Sequence, residues 1–164
     1  NPAVSRFYLY KLSFRPLSLY SDLRTIKITT METKVFINFA VKDLQKSIAF
    51  FTKIGYTFNP NFSDESGTCM IISEHIYAML LTEPRFKDFT NKEVADAKKT
   101  IEVMNSFSCA SRDAVDAIFQ KGIDAGGNES APTQDHGFMY GREFEDLDGH
   151  IWSYFWMDAS AVPQ

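Results

Sequence analysis

The sequence predicts an α+β fold: two tandem βαβββ modules form a curved, open, barrel-like sheet around a cleft, with the helices outside. Three observations predict it. The order strand, helix and three further strands occurs twice, and repetition of this size is itself a fold signal. Each predicted helix is amphipathic, so it covers one face of its sheet. The chain also ends in an Asp-Gly hairpin between two aromatic runs, a strong signal for paired strands.

The first predicted module covers residues 34–83. In Val35–Val41 both sets of alternate residues contain apolar side chains, which predicts a strand with two buried faces. Asp43 is a candidate N-cap for the helix that follows, and Gly55 ends that helix. The other predicted elements are a short strand interrupted by Pro60 and a two-stranded hairpin, at residues 56–62, 68–73 and 76–82.

A charged connector of residues 84–102 separates the modules. Within it, Thr90-Asn91-Lys92-Glu93 has the Ser/Thr-x-x-Glu spacing of a capping box. In that motif the first and last side chains satisfy each other's free backbone N–H groups. The spacing therefore predicts a helix from Asn91 to about Thr100.

The second module, residues 103–158, repeats the pattern. A strand at 106–110 precedes a helix with Ser111 as N-cap and Gly126 as its end. A loop containing Pro132 follows, and Asp146–Gly149 then joins the two strands of the hairpin. Those strands are predicted at residues 138–145 and 151–157.

Composition limits the class of protein. The 164 residues are 45% hydrophobic, which suffices for a sizeable core, but no run approaches the roughly 18 apolar residues of a membrane helix. The two cysteines, Cys69 and Cys109, form no Cys-x-x-Cys motif, which favours a reducing cytoplasm. A net charge of −4 gives no indication of nucleic acid as partner.

Residues 1–30 differ in composition from the rest. They hold five basic side chains against one acidic side chain, Asp22, and Met31 follows. We interpret them as an N-terminal extension: a leader, translated upstream sequence or an added segment. The domain itself then covers residues 31–164. The alternative is one or two extra strands at the edge of the domain, at residues 7–12 and 26–29.

Two motifs resemble the vicinal oxygen chelate superfamily, which holds the glyoxalases, extradiol dioxygenases, and bleomycin- and fosfomycin-resistance proteins. Residues 41–56, VKDLQKSIAFFTKIGY, resemble the family's first helix region. Residues 144–150, FEDLDGH, resemble its Phe-x-Asp-Pro-Asp-Gly hairpin, with Leu147 where Pro is usual. The resemblance covers about residues 34–158 and implies the fold more firmly than any one function.

The resemblance also implies where a metal would bind. In metal-dependent members, four inward-facing His, Gln or Glu ligands come from the first and last strands of each module and hold a divalent cation. Carried onto this sequence, these positions fall on Phe36, Ala78 or Leu80, Met104 or Ser106, and Ser153. Such side chains are poor ligands or none for these cations. We therefore expect no metal and no other cofactor, with a divalent metal as the alternative.

The same strands predict the lining of a ligand cleft. Asn38 shares the alternation of Phe36, and Phe155 shares that of Ser153. Tyr140 and Arg142 line the cleft if their strand presents that alternation inward, and Arg142 could then hold an anionic group. An outward Arg with a surface partner is the alternative. His136, beside Asp135, is the candidate acid or base.

Three hypotheses follow. The first is a bleomycin-resistance-like domain that binds a small organic molecule in an apolar, metal-free cleft, as a homodimer. The second is a lactoylglutathione-lyase-like enzyme or a dioxygenase, whose atypical metal site uses His136, Glu145, His150 or a second subunit. The third is a structural or regulatory dimer without any small ligand. The sequence does not decide whether the protein is an enzyme; the lost ligands favour the first hypothesis.

Overall fold

The computed structural model describes residues 32–161, so the predictions for residues 1–30 lie outside the described range. The first module contains β1 (Val35–Val41), α1 (Leu44–Ile54), β2 (Thr57–Asn59), β3 (Gly67–Ile71) and β4 (Ile76–Thr82), followed by the short α2 (Glu83–Lys87). The second contains β5 (Asn105–Ser108), α3 (Arg112–Ala125), β6 (Asn128–Asp135), β7 (Met139–Glu145) and β8 (Ile151–Met157). No helix within residues 32–161 has the length and apolar character to span a membrane.

The strands form two four-stranded sheets with the same topology. The order is β1-β4-β3-β2 in the first sheet and β5-β8-β7-β6 in the second. In each sheet the first strand of the module lies at one edge and runs parallel to the last strand of the module. The other neighbouring strands are antiparallel. Both sheets are open. The predicted α+β fold of two βαβββ modules is confirmed.

The long helices begin and end where the sequence predicts. The carboxylate of Asp43 accepts the backbone N–H of Lys46, and the hydroxyl of Ser111 accepts that of Ala114. Each cap satisfies a backbone donor that the helix leaves free. At the other ends Gly55 and Gly126 have φ values of 115° and 114°, in the left-handed region that ends helices.

The predicted helix at residues 91–100 is wrong; this part of the connector is irregular, and the short α2 precedes it. The capping box does not form because its two side chains have other partners. The hydroxyl of Thr90 accepts the N–H of Lys92, and the carboxylate of Glu93 lies 2.7 Å from Nζ of Lys87.

The loop predicted around Pro132 is also wrong, because Pro132 lies within β6. This strand is at the edge of its sheet, where a missing N–H can face away from the neighbouring strand. Its pairing with β7 shifts register twice between Glu129 and Gln134. Proline is therefore accommodated in an irregular edge strand.

One hydrophobic core joins the two modules. The ring of Phe51 on α1 lies 4.8 Å from that of Trp152 on β8, and the ring of Phe39 lies 5.1 Å from the same indole. Phe50 on α1 meets Phe144 on β7 with 6.2 Å between ring centroids. These contacts place α1 and the inner side of the second module's strands in a single core.

The tip of the last hairpin reaches the first module. The carboxylate of Asp148 accepts the backbone N–H of Lys42 at 3.1 Å and the hydroxyl of Ser47 at 3.4 Å. Gly149 has φ +99°, and a Cβ there would lie 2.7 Å from the backbone nitrogen of Lys98. The Asp-Gly motif thus positions β1, α1 and the connector as well as closing its own turn.

Candidate functional site

Side-chain alternation along β1 separates a core face from an open face. Phe39 and Val41 are buried, whereas Phe36 is 52% exposed and Asn38 is also exposed. The open face is the one away from the helices. We call it the cleft face. The amide of Asn38 donates to the carbonyl of Phe36 on the same strand at 3.2 Å.

The structure corrects the predicted face of β4. Ala78 and Leu80 are fully buried in the core and do not line the cleft. The parallel pairing sets Phe36 opposite Tyr77 and Asn38 opposite Met79, so these residues carry the cleft face. The rings of Phe36 and Tyr77 stack at 4.9 Å. A slip of one residue in the assumed register exchanges the two faces of a strand.

In the second module the cleft face borders a hollow with a volume of about 290 Å³. We call this space the sheet hollow. Five residues predicted for the cleft border it: Met104, Ser106, Arg142, Ser153 and Phe155. Gln134, Met139 and Glu143 also border it.

Glu143 was not predicted as a site residue. It pairs with Ser153 across the hairpin, so its side chain shares the cleft face. The signal was present in the sequence: a tight turn at Asp146–Gly149 fixes the register of β7 against β8. Counting back from that turn would have placed Glu143 beside Ser153.

The side chains of Tyr140 and Arg142 point to the helix side of the sheet and not into the cleft, and for Arg142 this is the stated alternative, an Arg with a surface partner. Arg142 borders the sheet hollow, but its guanidinium lies across the sheet, 3.5 Å from the ring centre of Phe119 on α3 and 3.1 Å from Asp116. The hydroxyl of Tyr140 donates to the same Asp116 carboxylate. The alternate residues of β7 that include Tyr140 and Arg142 therefore face α3, whereas Glu143 faces the cleft.

His136, the predicted acid or base, is exposed in the turn between β6 and β7. Its backbone N–H donates to the carbonyl of Met139. The neighbouring Asp135 carboxylate instead accepts two hydrogen bonds from Arg112, at 2.6 and 2.9 Å. These hydrogen bonds lower the pKa of Asp135. Asp135 is therefore hydrogen-bonded to Arg112 and not to the imidazole of His136, and His136 does not border the sheet hollow.

A second space, the connector hollow, has a volume of about 360 Å³. It lies between β1, the connector and the start of β8, and Asn38, Ala40, Glu93, Val103 and Ile151 are among its lining residues. His150 also borders it, and Nδ1 of this side chain lies 3.0 Å from the buried carboxylate of Asp146.

Burial disfavours the charged imidazole of His150, but the hydrogen bond to Asp146 and the charges of Asp146 and Asp148 outweigh this effect. The net result is a pKa raised above its ordinary value. Within residues 32–161, the group of three His, Cys, Asp or Glu side chains that brings its ligand atoms within 4.8 Å of one another is Glu32, Glu74 and His75. The donors of the alternative metal site, His136, Glu145 and His150, therefore do not converge.

No family model and no curated protein matches the sequence. Solved structures match it clearly, and they show that the protein has the vicinal oxygen chelate fold of the glyoxalase, bleomycin-resistance and dioxygenase proteins.

Three of these structures illustrate the range. A glyoxalase-related enzyme from Fulvimarina pelagi has a TM-score of 0.65 at 16% identity, over 77% of this chain and 88% of the other. The hypothetical protein SA1046 from S. aureus has a TM-score of 0.64 at 24% identity, over 74% and 91%. The fosfomycin resistance protein FosX from Listeria monocytogenes has a TM-score of 0.55 at 18% identity, over 77% and 93%.

Proposed function

We propose that the protein binds a small organic molecule in the sheet hollow and that this site works without a metal ion. The single observation that carries the proposal is the set of side chains on the cleft face. Met104 and Phe155 give the hollow apolar walls, and Ser106 and Ser153 supply two hydroxyls. An apolar pocket with a few polar groups is the usual form of a small-molecule site.

Four strands, β1, β4, β5 and β8, correspond to those that carry the metal ligands in metal-dependent members of the superfamily. Their cleft-face residues in this protein do not fit a divalent cation. They are Phe36 and Asn38 on β1, Tyr77 and Met79 on β4, Met104 and Ser106 on β5, and Ser153 and Phe155 on β8. This set offers no imidazole, thiolate or carboxylate, the groups that hold such ions in proteins. The hydroxyl of Tyr77 already donates to the carbonyl of Glu74.

We propose further that the protein is a homodimer whose interface covers part of the cleft side. Large apolar side chains are exposed at this side or beside it: Phe36 at 52%, Met104 at 54% and Val103 at 62%. An exposed apolar surface of this kind is typical of a protein interface. A cytoplasmic location stays a prediction from the cysteine content.

A binding screen with a blocked variant tests the proposal. Isothermal titration with Zn²⁺, Ni²⁺, Mn²⁺ and Fe²⁺ should give no stoichiometric uptake, and a thermal-shift screen of aromatic compounds should give hits, because a ligand stabilises the fold that it binds. Ser153→Trp fills the sheet hollow and should abolish the hits. Met157→Trp, on the same face of β8 but beyond the hollow, should keep them. Tight one-to-one metal binding, or hits that survive Ser153→Trp, would contradict the proposal.

A further inference from the structure

Three polar side chains form a row across the second sheet. Ser106 on β5 pairs with Ser153 on β8, and Ser153 pairs with Glu143 on β7. Paired residues of neighbouring strands point to the same face, and the strands are about 5 Å apart. The row therefore places a carboxylate and two hydroxyls side by side on the wall of the sheet hollow.

Glu143 is half-buried and has spare capacity to accept hydrogen bonds. Its carboxylate accepts the hydroxyl of Ser130 at 2.9 Å. No Lys, Arg or His within residues 32–161 forms an ion pair with it. An ionised carboxylate offers about four acceptor positions, so one hydrogen bond leaves most of them to a ligand or to water.

The guanidinium of Arg142, the residue before Glu143 in β7, does not neutralise this carboxylate. Arg142 directs its side chain to the opposite face, where it lies within 3.1 Å of Asp116 and 3.7 Å of Glu129. The residues that border the hollow include no lysine. Two charged residues, Arg142 and Glu143, border the hollow. Because the guanidinium of Arg142 lies on the helix side, against Phe119 and Asp116, Glu143 is the one whose charged group lies on the cleft face.

We propose that the ligand of the sheet hollow is an organic cation, whose ammonium or guanidinium group is held by Glu143 beside the hydroxyls of Ser106 and Ser153. The apolar part of the ligand then packs on Met104 and Phe155. A cation gains a charge-assisted hydrogen bond in a partly desolvated place, whereas an anion meets repulsion there. This inference rests on the proposed function, because it names the class of molecule that the same hollow takes.

A matched series of compounds tests the charge preference. The probes are 4-phenylbutylamine, 4-phenylbutanol and 4-phenylbutyrate, which share a shape and differ in charge. At pH 7 the amine should bind at least about tenfold tighter than the alcohol, and the acid should bind weakest. Glu143→Gln should remove the advantage of the amine over the alcohol. Glu145→Gln, two residues along the same face of β7 but outside the hollow's lining, should retain it.

The outcomes separate this inference from the proposed function. If the alcohol or the acid binds as tightly as the amine, or if Glu143→Gln keeps the preference, the cation assignment is wrong while small-molecule binding stands. If none of the three probes binds, the cation assignment is also wrong, and the aromatic screen with Ser153→Trp then judges the binding function separately. Circular dichroism and thermal melting verify that both Gln variants are folded.

Discussion

Nδ1 of His150 lies 3.0 Å from Oδ2 of Asp146, a carboxylate that is 4% exposed. A carboxylate accepts hydrogen bonds, so this ring nitrogen carries a proton. The other oxygen accepts the backbone N–H groups of Asp148, Gly149 and His150 at 2.9 to 3.0 Å. The indole of Trp152 also donates to Oδ2. One buried side chain thereby holds the hairpin tip against the core.

We expect Asp146→Ala to lower the free energy of unfolding by about 3 kcal/mol or more, because several buried donors lose their acceptor at a cost of about 1–3 kcal/mol each. Urea unfolding measures the change. Asp43→Ala is the control, since it removes an exposed N-cap and should cost only about 1 kcal/mol. Equal losses in the two variants would contradict the role assigned to Asp146.

The raised pKa of His150 predicts a pH-dependent contribution to stability. Since the folded pKa lies above the unfolded value of about 6.5, the contribution is fully present below pH 6.5 and is lost as pH rises through the folded pKa. His150→Gln should therefore reduce the free energy of unfolding more at pH 5.5 than at pH 9. Unfolding of both proteins at each pH measures the difference, and a loss that is the same at both values would contradict the prediction.

Local signals in the sequence predicted much of the fold. The prediction of the site residues was less accurate, because it depends on the register between strands that are far apart in the chain. The caps Asp43 and Ser111 act within a few residues of themselves, so their helices were predictable. The face of β4 depends on its pairing with β1, more than thirty residues away in the chain, and one residue of error placed Ala78 in the cleft instead of Tyr77.

The second sheet was predicted better where a short turn fixes its register. Ser153 and Phe155 lie on the cleft face, close to the Asp146–Gly149 turn in sequence. The direction of Arg142 was left open because its alternation was not counted from that turn. The attraction between its guanidinium and Asp116 on α3 is a tertiary contact, which no pattern within β7 indicates.

The exposed ring of Phe36 gives a test of the proposed homodimer. Phe36→Glu places a charge on the apolar cleft side without touching the core, so the fold should remain and the sedimentation coefficient should fall to that of a monomer. Phe89→Glu is the matched control, because Phe89 is 68% exposed on the connector and borders neither hollow. A monomeric wild type, or a Phe36→Glu variant that remains dimeric, would contradict the proposal.

The hydroxyls of Tyr56 and Tyr154 lie 2.7 Å apart and join the two modules through one hydrogen bond. Burial raises the pKa of both phenols, so the pair is neutral at physiological pH. Tyr154 is 2% exposed, whereas Tyr56 is half-buried and can reach water. Tyr56→Phe leaves the buried hydroxyl of Tyr154 without a hydrogen-bond partner, so it should lower the free energy of unfolding by about 1–3 kcal/mol. Tyr154→Phe should lower it by less.

The double variant completes the cycle. With neither hydroxyl present no buried group is left without a partner, so Tyr56→Phe with Tyr154→Phe should cost less than the two single losses together. A coupling of at least about 0.5 kcal/mol is expected for residues in direct contact. Urea unfolding of the four proteins measures it. Strictly additive losses would mean that the hydrogen bond does not hold the modules together, and that the surrounding aromatic packing alone does so.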